Sequence, residues 1–128
     1  MQMVRVMIAD DSDAIRTFLK DVVISSGYSF VAEANNGMDA IDKVKSTSPD
    51  ILLLDYSMPK KNGLDVLKEI KKFGSTKVIM VTVSDEQELI EKCIQMGASA
   101  YLVKPFNPDM VLKAISYTIE QPLPTSQI

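Results

Sequence analysis

The chain has 128 residues, of which 46% are hydrophobic, and its 17 acidic and 14 basic residues give a net charge of −3. This length suits one domain with its own core, and the acidic balance, without a basic stripe on any predicted helix, argues against a nucleic-acid partner. The apolar runs are far shorter than the ~20 residues of a membrane-spanning helix, and the N-terminus lacks the features of a signal peptide, so no membrane association is expected.

The first strand and helix are predicted from a change in apolar periodicity. Residues 3–9 read as a strand. The helix that follows repeats apolar side chains at helical spacing, at Ile15, Phe18, Leu19, Val22 and Val23. Gly27 suits the C-terminal cap of this helix. A second strand is predicted at residues 28–34.

The next helix pattern precedes the most apolar strand of the chain. Helical spacing over residues 35–48 predicts that Met38, Ile41 and Val44 face the core. Residues 51–54 are all apolar, which indicates a strand buried on both faces, because a half-exposed strand would alternate.

The same alternation continues in the second half. A helix is predicted over residues 64–73, ending at Gly74, and a strand over residues 77–82. The inward positions of this helix are Leu64, Leu67 and Ile70. The sequence "SDEQ" after the strand has the pattern of a capping box, with Ser84 as the N-cap and Gln87 three residues later.

The last strand and helix follow a helix that ends at Met96. Residues 99–104 read as the fifth strand, and the final helix has Asn107 as its N-cap and Pro108 at its first position. The chain therefore alternates five strands with five helices. This predicts the α/β class: a doubly wound (βα)5 domain whose parallel sheet is covered by helices on both faces. We expect the domain to span residues 1–121 and a flexible tail to follow at 122–128.

Polar side chains stand where these predicted strands end. They are Asp10 and Asp11 after the first strand, Asp55 after the third, Thr82 at the end of the fourth and Lys104 at the end of the fifth. Because parallel strands end at one edge of an open sheet, and ligands bind at that edge, these five side chains are expected to meet there.

The residue types at this edge fit phosphoryl transfer onto a carboxylate. Crowded carboxylates repel unless a cation intervenes, and oxygen ligands with open positions suit Mg²⁺. An ammonium and a hydroxyl can stabilise phosphoryl oxygens while an aspartate attacks. Asp55, held by the buried strand behind it, is the predicted nucleophile.

The absence of histidine limits the chemistry further. It excludes Ser-His-Asp and Cys-His catalysis and histidine-ligated metals. The single cysteine, Cys93, cannot form an internal disulfide, which fits a reducing cytoplasm. It shares an apolar helix face with Ile90 and Ile94, so we interpret it as a core residue.

Four motifs give the chain a resemblance to a known family. They are "IADDS" (8–12), "LLLDYSMPKKNG" (52–63), "VIMVT" (78–82) and "GASAYLVKPF" (97–106). In this order and at these distances, the motifs resemble the receiver domains of two-component response regulators, the CheY-like superfamily. The resemblance covers about residues 3–120 and implies a flavodoxin-like sheet of strand order 2-1-3-4-5.

The resemblance also implies roles for the residues at the sheet edge. Asp55 would accept a phosphoryl group from a partner histidine kinase or phosphotransfer protein, and Lys104 would contact that group. Mg²⁺ would be bound by Asp11, Asp55 and the backbone carbonyl of Tyr56, with Asp10 acting largely through water. Such a protein is a signalling switch and not a turnover enzyme.

A switch pair and an output surface are implied in the same way. Thr82 and Tyr101 would rearrange on phosphorylation and remodel the surface formed by the fourth helix, fifth strand and fifth helix, which would bind a downstream protein. The resemblance further implies a cis peptide bond between Lys104 and Pro105.

Some positions depart from the usual family pattern or leave it open. Val83 stands where a smaller residue is usual, so its bulk is expected to hinder access to Asp55. Lys61 replaces a residue that is often apolar. Ser57 and Ser84 are small and neutral, at positions that help to admit or exclude the hydrolytic water.

Three alternatives to a phosphoryl-accepting receiver domain remain. A phosphatase of the haloacid dehalogenase type would need an aspartate where Ser57 stands. A flavodoxin-like binder of flavin phosphate is disfavoured because the acidic "DDSD" after the first strand would repel the phosphate. A degenerate receiver that serves only as a docking module is supported by Val83 alone.

Overall fold

The alternating apolar segments form a five-stranded sheet in the computed structural model of the chain, which describes residues 3–121. The strands are β1 (Arg5–Ala9), β2 (Ser29–Ala34), β3 (Ile51–Asp55), β4 (Lys77–Thr82) and β5 (Ala100–Val103). Their order is β2-β1-β3-β4-β5, and every neighbouring pair is parallel. The predicted α/β class and strand order are confirmed.

Each strand leads into a helix. The helices are α1 (Asp13–Ser25), α2 (Gly37–Thr47), α3 (Gly63–Ile70), α4 (Gln87–Gln95) and α5 (Pro108–Glu120). Four of them begin at a side chain that accepts a hydrogen bond from the backbone N–H three residues on, as N-caps do. These caps are Ser12, Asn36, Asn62 and Asn107.

The helices cover the sheet on both faces and divide the core into two clusters. Successive residues of β3 point to opposite faces, so Leu52 and Leu54 pack with α2, α3 and α4, whereas Ile51 and Leu53 pack with α1 and α5. Every residue of β3 is buried. The strand that carries Asp55 is therefore the most enclosed part of the sheet. Cys93 is fully buried in the first of these clusters, as predicted.

Three local predictions are wrong. Met38 is 50% exposed, and Ala40 lies in the core with Ile41 and Val44 instead. The buried positions of α2 are Gly37, Ala40, Ile41 and Val44, which repeat at helical spacing. Met38 follows Gly37 by one residue and is therefore rotated about 100° around the helix axis, away from this buried face. Ser84 is not the N-cap of α4.

The helix α4 begins at Gln87, and its N-cap position is Glu86, which makes no side-chain capping bond. The Ser84 hydroxyl accepts a 3.2 Å hydrogen bond from the Glu86 N–H, so it stabilises the turn before the helix. The capping-box pattern failed because the Ser84 backbone is bonded to Thr82 and Tyr101, which extends the loop by two residues.

The third correction concerns the end of α3. The helix ends at Ile70, not at residue 73, with Lys71 as its C-cap. The next two N–H groups, of Lys72 and Phe73, bond three residues back, to Glu69 and Ile70, so the chain tightens into a turn.

Two remaining predictions concern the C-terminal tail and membrane association. The tail predicted at residues 122–128 lies outside the described residues. Among residues 3–121, none of the helices has the length and apolar character to cross a bilayer.

Candidate functional site

The side chains predicted to meet are placed by the strands at one edge of the sheet. Asp55 is the last residue of β3 and Thr82 the last of β4, whereas Asp10 and Lys104 directly follow β1 and β5. Backbone hydrogen bonds continue past the strands, from the Asp10 N–H to the Ala34 carbonyl at 3.0 Å and from the Lys104 N–H to the Thr82 carbonyl at 2.7 Å. The residues at the edge are thus fixed by the sheet itself.

Three carboxylates form a cluster at this edge. Asp10, Asp11 and Asp55 each offer an oxygen atom within 4.8 Å of the others. Asp10 and Asp55 are buried, at 1% and 3% exposure, and Asp11 is exposed. The Oδ2 atom of Asp10 is buried, and the ammonium of Lys104 lies 3.1 Å from it. A cluster of three carboxylate oxygen donors has the chemistry of a site for a hard divalent cation.

The lysine contacts both buried carboxylates. Lys104 Nζ lies 3.1 Å from Asp10 Oδ2 and 3.4 Å from Asp55 Oδ1. Burial works against the charged ammonium, but the hydrogen bond and attraction to Asp10 outweigh it, with help from Asp55, and raise the pKa of Lys104. The peptide bond between Lys104 and Pro105 is cis, as predicted.

The carboxyl group of Asp55 binds a proton more readily than an ordinary aspartate. Burial, followed by the negative charge of Asp10, raises the pKa of Asp55 from 3.8 to about 6, although Lys104 acts in the opposite direction. The Ser57 N–H also donates to Asp55 Oδ1, at 3.4 Å. A further positive charge beside Asp55, such as a bound cation, would therefore stabilise its ionised form.

Thr82 and Tyr101 meet at the loop that follows β4. Thr82 is buried at 4% exposure, and its hydroxyl accepts a 3.3 Å hydrogen bond from the Ser84 N–H. The Tyr101 hydroxyl donates to the Ser84 carbonyl at 2.8 Å, and its ring packs against the core cluster below α4. Burial raises the pKa of this phenol. The two side chains therefore form hydrogen bonds with the N–H and the carbonyl of the same residue, Ser84.

The loop after β3 approaches the site so closely that one position must lack a side chain. A Cβ atom at Gly63 would lie 2.6 Å from the carbonyl oxygen of Asp55 and 2.7 Å from the Cα of Tyr56. The Gly63 N–H donates to the Tyr56 carbonyl at 2.6 Å. One acceptor position of that carbonyl is therefore already in use.

The positions that depart from the family pattern lie around the rim. Val83 is 76% exposed, and Ser57 is exposed. Lys61 packs against the start of α2, where a Cβ at Gly37 would lie 2.2 Å from the Lys61 carbonyl oxygen. The exposure of Val83 leaves the predicted steric effect on Asp55 a prediction.

One residue at the site was not found from the sequence. The Arg16 guanidinium donates to the carbonyl oxygen of Asp10 at 2.7 Å. Arg16 lies on the polar side of the α1 pattern, and no local pattern indicates that its side chain reaches back to the loop after β1.

Comparisons with known proteins identify the family of the chain. Residues 6–116 match the family model of the response regulator receiver domain. The chain is 40% identical over 116 residues to the chemotaxis protein CheY of Bacillus subtilis, covering 90% of this chain and 97% of that protein. It is 39% identical over 113 residues to CheY of Thermotoga maritima, covering 88% of this chain and 94% of that protein.

Solved structures show the same similarity. A chain of the CheX–CheY–BeF3–Mg complex from Borrelia burgdorferi superposes with a TM-score of 0.89 at 30% identity, covering 91% of this chain and 90% of that chain. CheY4 of Vibrio cholerae superposes with a TM-score of 0.83 at 30% identity, covering 91% of this chain and 99% of that chain. The fold, the edge residues and these matches together show that the chain belongs to the CheY-like family of response regulator receiver domains.

Proposed function

We propose that the chain is a phosphoryl-accepting switch of two-component signalling, in which Asp55 takes a phosphoryl group from a partner histidine kinase or phosphotransfer protein. The observation that carries the proposal is the cluster of Asp10, Asp11 and Asp55, with oxygen atoms within 4.8 Å, beside the ammonium of Lys104. Receiver domains of this family are signalling proteins. The cytoplasmic location expected from the single cysteine stays a prediction.

The proposed metal is Mg²⁺, held by the carboxylates of Asp11 and Asp55, with the carboxylate of Asp10 acting largely through water. The donor set fits, because all three carboxylates offer oxygen atoms that lie within 4.8 Å of one another. When bound, Mg²⁺ would neutralise charge on the carboxylates and on the phosphoryl oxygens. The family resemblance implies that Tyr56 adds its backbone carbonyl, and the second lone pair of that oxygen is available beside the 2.6 Å bond from Gly63.

Asp55, Lys104 and Thr82 have different roles in the proposed phosphoryl transfer. An Asp55 oxygen forms a bond to phosphorus while the bond from phosphorus to the donor's leaving atom breaks, and the donor departs with that electron pair. The ammonium of Lys104 and the hydroxyl of Thr82 stabilise the charge on the transferred oxygens. Because Asp55 is nearly inaccessible at 3% exposure, the donor must approach from the open side of the edge.

The proposed output starts at Thr82. If its hydroxyl turns toward the new phosphoryl group, its bond with the Ser84 N–H breaks and the loop before α4 is free to move. Tyr101 already bonds the Ser84 carbonyl at 2.8 Å, so a shift of this loop changes the α4-β5-α5 surface. We propose that this surface binds the downstream protein target. The Tyr101 ring is partly buried against the core cluster in the structure, and we propose that phosphorylation shifts an equilibrium between ring positions that exists beforehand.

Acetyl phosphate tests the proposal. With Mg²⁺ the protein should gain one base-labile phosphoryl group, measured as intact mass, and the gain should disappear with EDTA or in Asp55→Asn. The alternative of a degenerate docking module predicts no modification of the parent protein. It also predicts that the parent and Asp55→Asn bind a partner equally with and without acetyl phosphate. Val83→Ala should speed the reaction if side-chain bulk limits access.

A further inference from the structure

Arg16 of α1 reaches the backbone between the first two acidic residues of the site. Its Nη1 atom donates to the Asp10 carbonyl at 2.7 Å, and its side chain is only 14% exposed. The carbonyl of Asp10 and the N–H of Asp11 belong to the same planar peptide unit. A donor that holds the carbonyl therefore fixes the orientation of the peptide that joins these two carboxylates.

The guanidinium is itself held on two further sides. Nε donates to Glu33 Oε1 on β2 at 3.0 Å, and Nη2 pairs with Asp13 at the start of α1. Glu33 accepts a second bond from Lys20, at 2.7 Å, and its backbone carbonyl accepts one from Lys43, at 2.6 Å. The planar fork of arginine can bond three acceptors in fixed directions, which the single ammonium of a lysine cannot do. Through Arg16, the loop after β1 is therefore linked by hydrogen bonds to both α1 and β2.

We propose that Arg16 is a positioning residue, which fixes the Asp10–Asp11 peptide and so holds the two carboxylates in the arrangement that binds the divalent cation. The inference rests on the proposed function, since it assigns Arg16 to the same metal site. Partners of metal ligands that do not touch the metal typically change metal affinity by about 10–100-fold when they are replaced.

The charge of Arg16 predicts the opposite effect. A cation near three carboxylates repels Mg²⁺, so loss of this charge alone would tighten Mg²⁺ binding. Loss of the hydrogen bond from Arg16 to the Asp10 carbonyl would weaken Mg²⁺ binding, because the Asp10–Asp11 peptide must then be ordered when the metal binds. The direction of the change therefore separates a positioning role from a purely electrostatic one.

Lys20 offers a matched control. It carries the same charge, lies one turn further along α1 and bonds the same carboxylate of Glu33, but its ammonium forms no hydrogen bond or ion pair with residues 10–12 in the described part of the chain. Lys20→Met removes one positive charge from the network and leaves the bond from Arg16 to Asp10 in place. Arg16→Lys keeps the charge and loses the fork.

The experiment is a calorimetric titration of Mg²⁺ into the parent protein, Arg16→Met, Arg16→Lys and Lys20→Met. The dissociation constant should rise about 10-fold or more in Arg16→Met. It should rise by a smaller factor in Arg16→Lys and stay at the parent value in Lys20→Met. The phosphorylation rate with acetyl phosphate gives a second readout. In Arg16→Met, the Mg²⁺ concentration that gives half of the maximal rate should rise by a larger factor than the maximal rate falls. A general loss of folded protein would lower the maximal rate without changing that concentration.

The outcomes separate the two levels of the proposal. If the parent binds Mg²⁺ and Arg16→Met binds it equally or more tightly, the positioning role is wrong and the metal site stands. If the parent binds no Mg²⁺, the metal site is wrong and the inference is overturned with it. Should Arg16→Met fail to fold, Arg16→Lys decides, because an unchanged dissociation constant there contradicts the need for the fork.

Discussion

Lys104 and Asp10 form an ion pair within the acidic cluster, with 3.1 Å between Nζ and Oδ2. The distance from the same nitrogen to Asp55 is longer, at 3.4 Å. The lysine therefore contacts two of the carboxylates proposed to bind Mg²⁺, and the metal has to compete with it for their charge.

The first prediction concerns Lys104→Met. Without Mg²⁺, this variant should be less stable than the parent by about 1–3 kcal/mol, because Asp10 and Asp55 lose their cationic partner. It should bind Mg²⁺ more tightly, because the competing ammonium is gone, and so show a larger rise in melting temperature on Mg²⁺ addition. Thermal unfolding across a Mg²⁺ series measures both effects. A rise no larger than that of the parent would show that Lys104 does not compete with the metal.

The second prediction concerns pH. The pKa of Asp55 is about 6 in the folded protein against an ordinary value of 3.8, so the folded state binds its proton more tightly than the unfolded state. Asp55 therefore makes the free energy of unfolding fall as pH rises from about 4 to about 6, by at most about 3 kcal/mol.

Asp55→Asn isolates this contribution. Other carboxyl groups titrate in the same range, so the quantity to measure by urea unfolding without Mg²⁺ is the stability of Asp55→Asn minus that of the parent. This difference should increase between pH 4 and pH 6, and Mg²⁺ should reduce it by favouring the ionised carboxylate. A difference that stays constant with pH would mean that Asp55 titrates normally.

The third prediction concerns Gly63. Its replacement by alanine places a Cβ 2.6 Å from the Asp55 carbonyl oxygen, so the backbone on either side must shift. We expect a loss of about 1–3 kcal/mol in stability and slower phosphorylation by acetyl phosphate. Gly27→Ala is the control, since Gly27 has a φ of +86° but no atom within 4 Å of the added Cβ. That change should cost about 1 kcal/mol and leave the phosphorylation rate unaltered. Equal phosphorylation rates in both variants would contradict a role for the close approach.

The fourth prediction concerns the pair Thr82 and Tyr101. Beryllofluoride with Mg²⁺ should draw the Thr82 hydroxyl away from the Ser84 N–H, and should shift the amide resonances of the loop before α4 and of β5. Thr82→Ala should still bind beryllofluoride at Asp55 but show much smaller shifts around Tyr101. Tyr101→Phe keeps the ring and loses the bond to the Ser84 carbonyl, so it should increase hydrogen exchange of this loop. Identical spectra of β5 and α4 with and without the mimic would contradict the switch.

The sequence was sufficient for the features that depend on apolar periodicity. The continuous run before Asp55 predicted a doubly buried strand, and the alternation of elements predicted the parallel sheet whose edge gathers the polar residues. It was insufficient where the tertiary environment overrides a local pattern. Ser84 matches a capping box, but its backbone bonds to Thr82 and Tyr101 move the start of α4 to Gln87.

The same limit explains what was missed at the site. Gly63 closes the motif "LLLDYSMPKKNG", but the motif does not show how close the Asp55 backbone lies, because that distance depends on how the loop after β3 folds back. Arg16 resembles any polar residue on a helix surface, and its contact with the Asp10 carbonyl depends on how α1 packs beside β1 and β2. Long-range contacts of this kind are not encoded in a periodic pattern.

The most direct test of the account is to identify the residue that carries the phosphoryl group. The parent protein is treated with acetyl phosphate and Mg²⁺, the acyl phosphate is reduced with borohydride, and the peptides are sequenced by mass spectrometry. We predict that reduction converts Asp55 to homoserine in the peptide that contains "LLLDYSMPK", and that Asp10 and Asp11 stay unmodified. Reduction at Asp10 or Asp11, or the same yield of modified protein from Asp55→Asn, would contradict Asp55 as the acceptor.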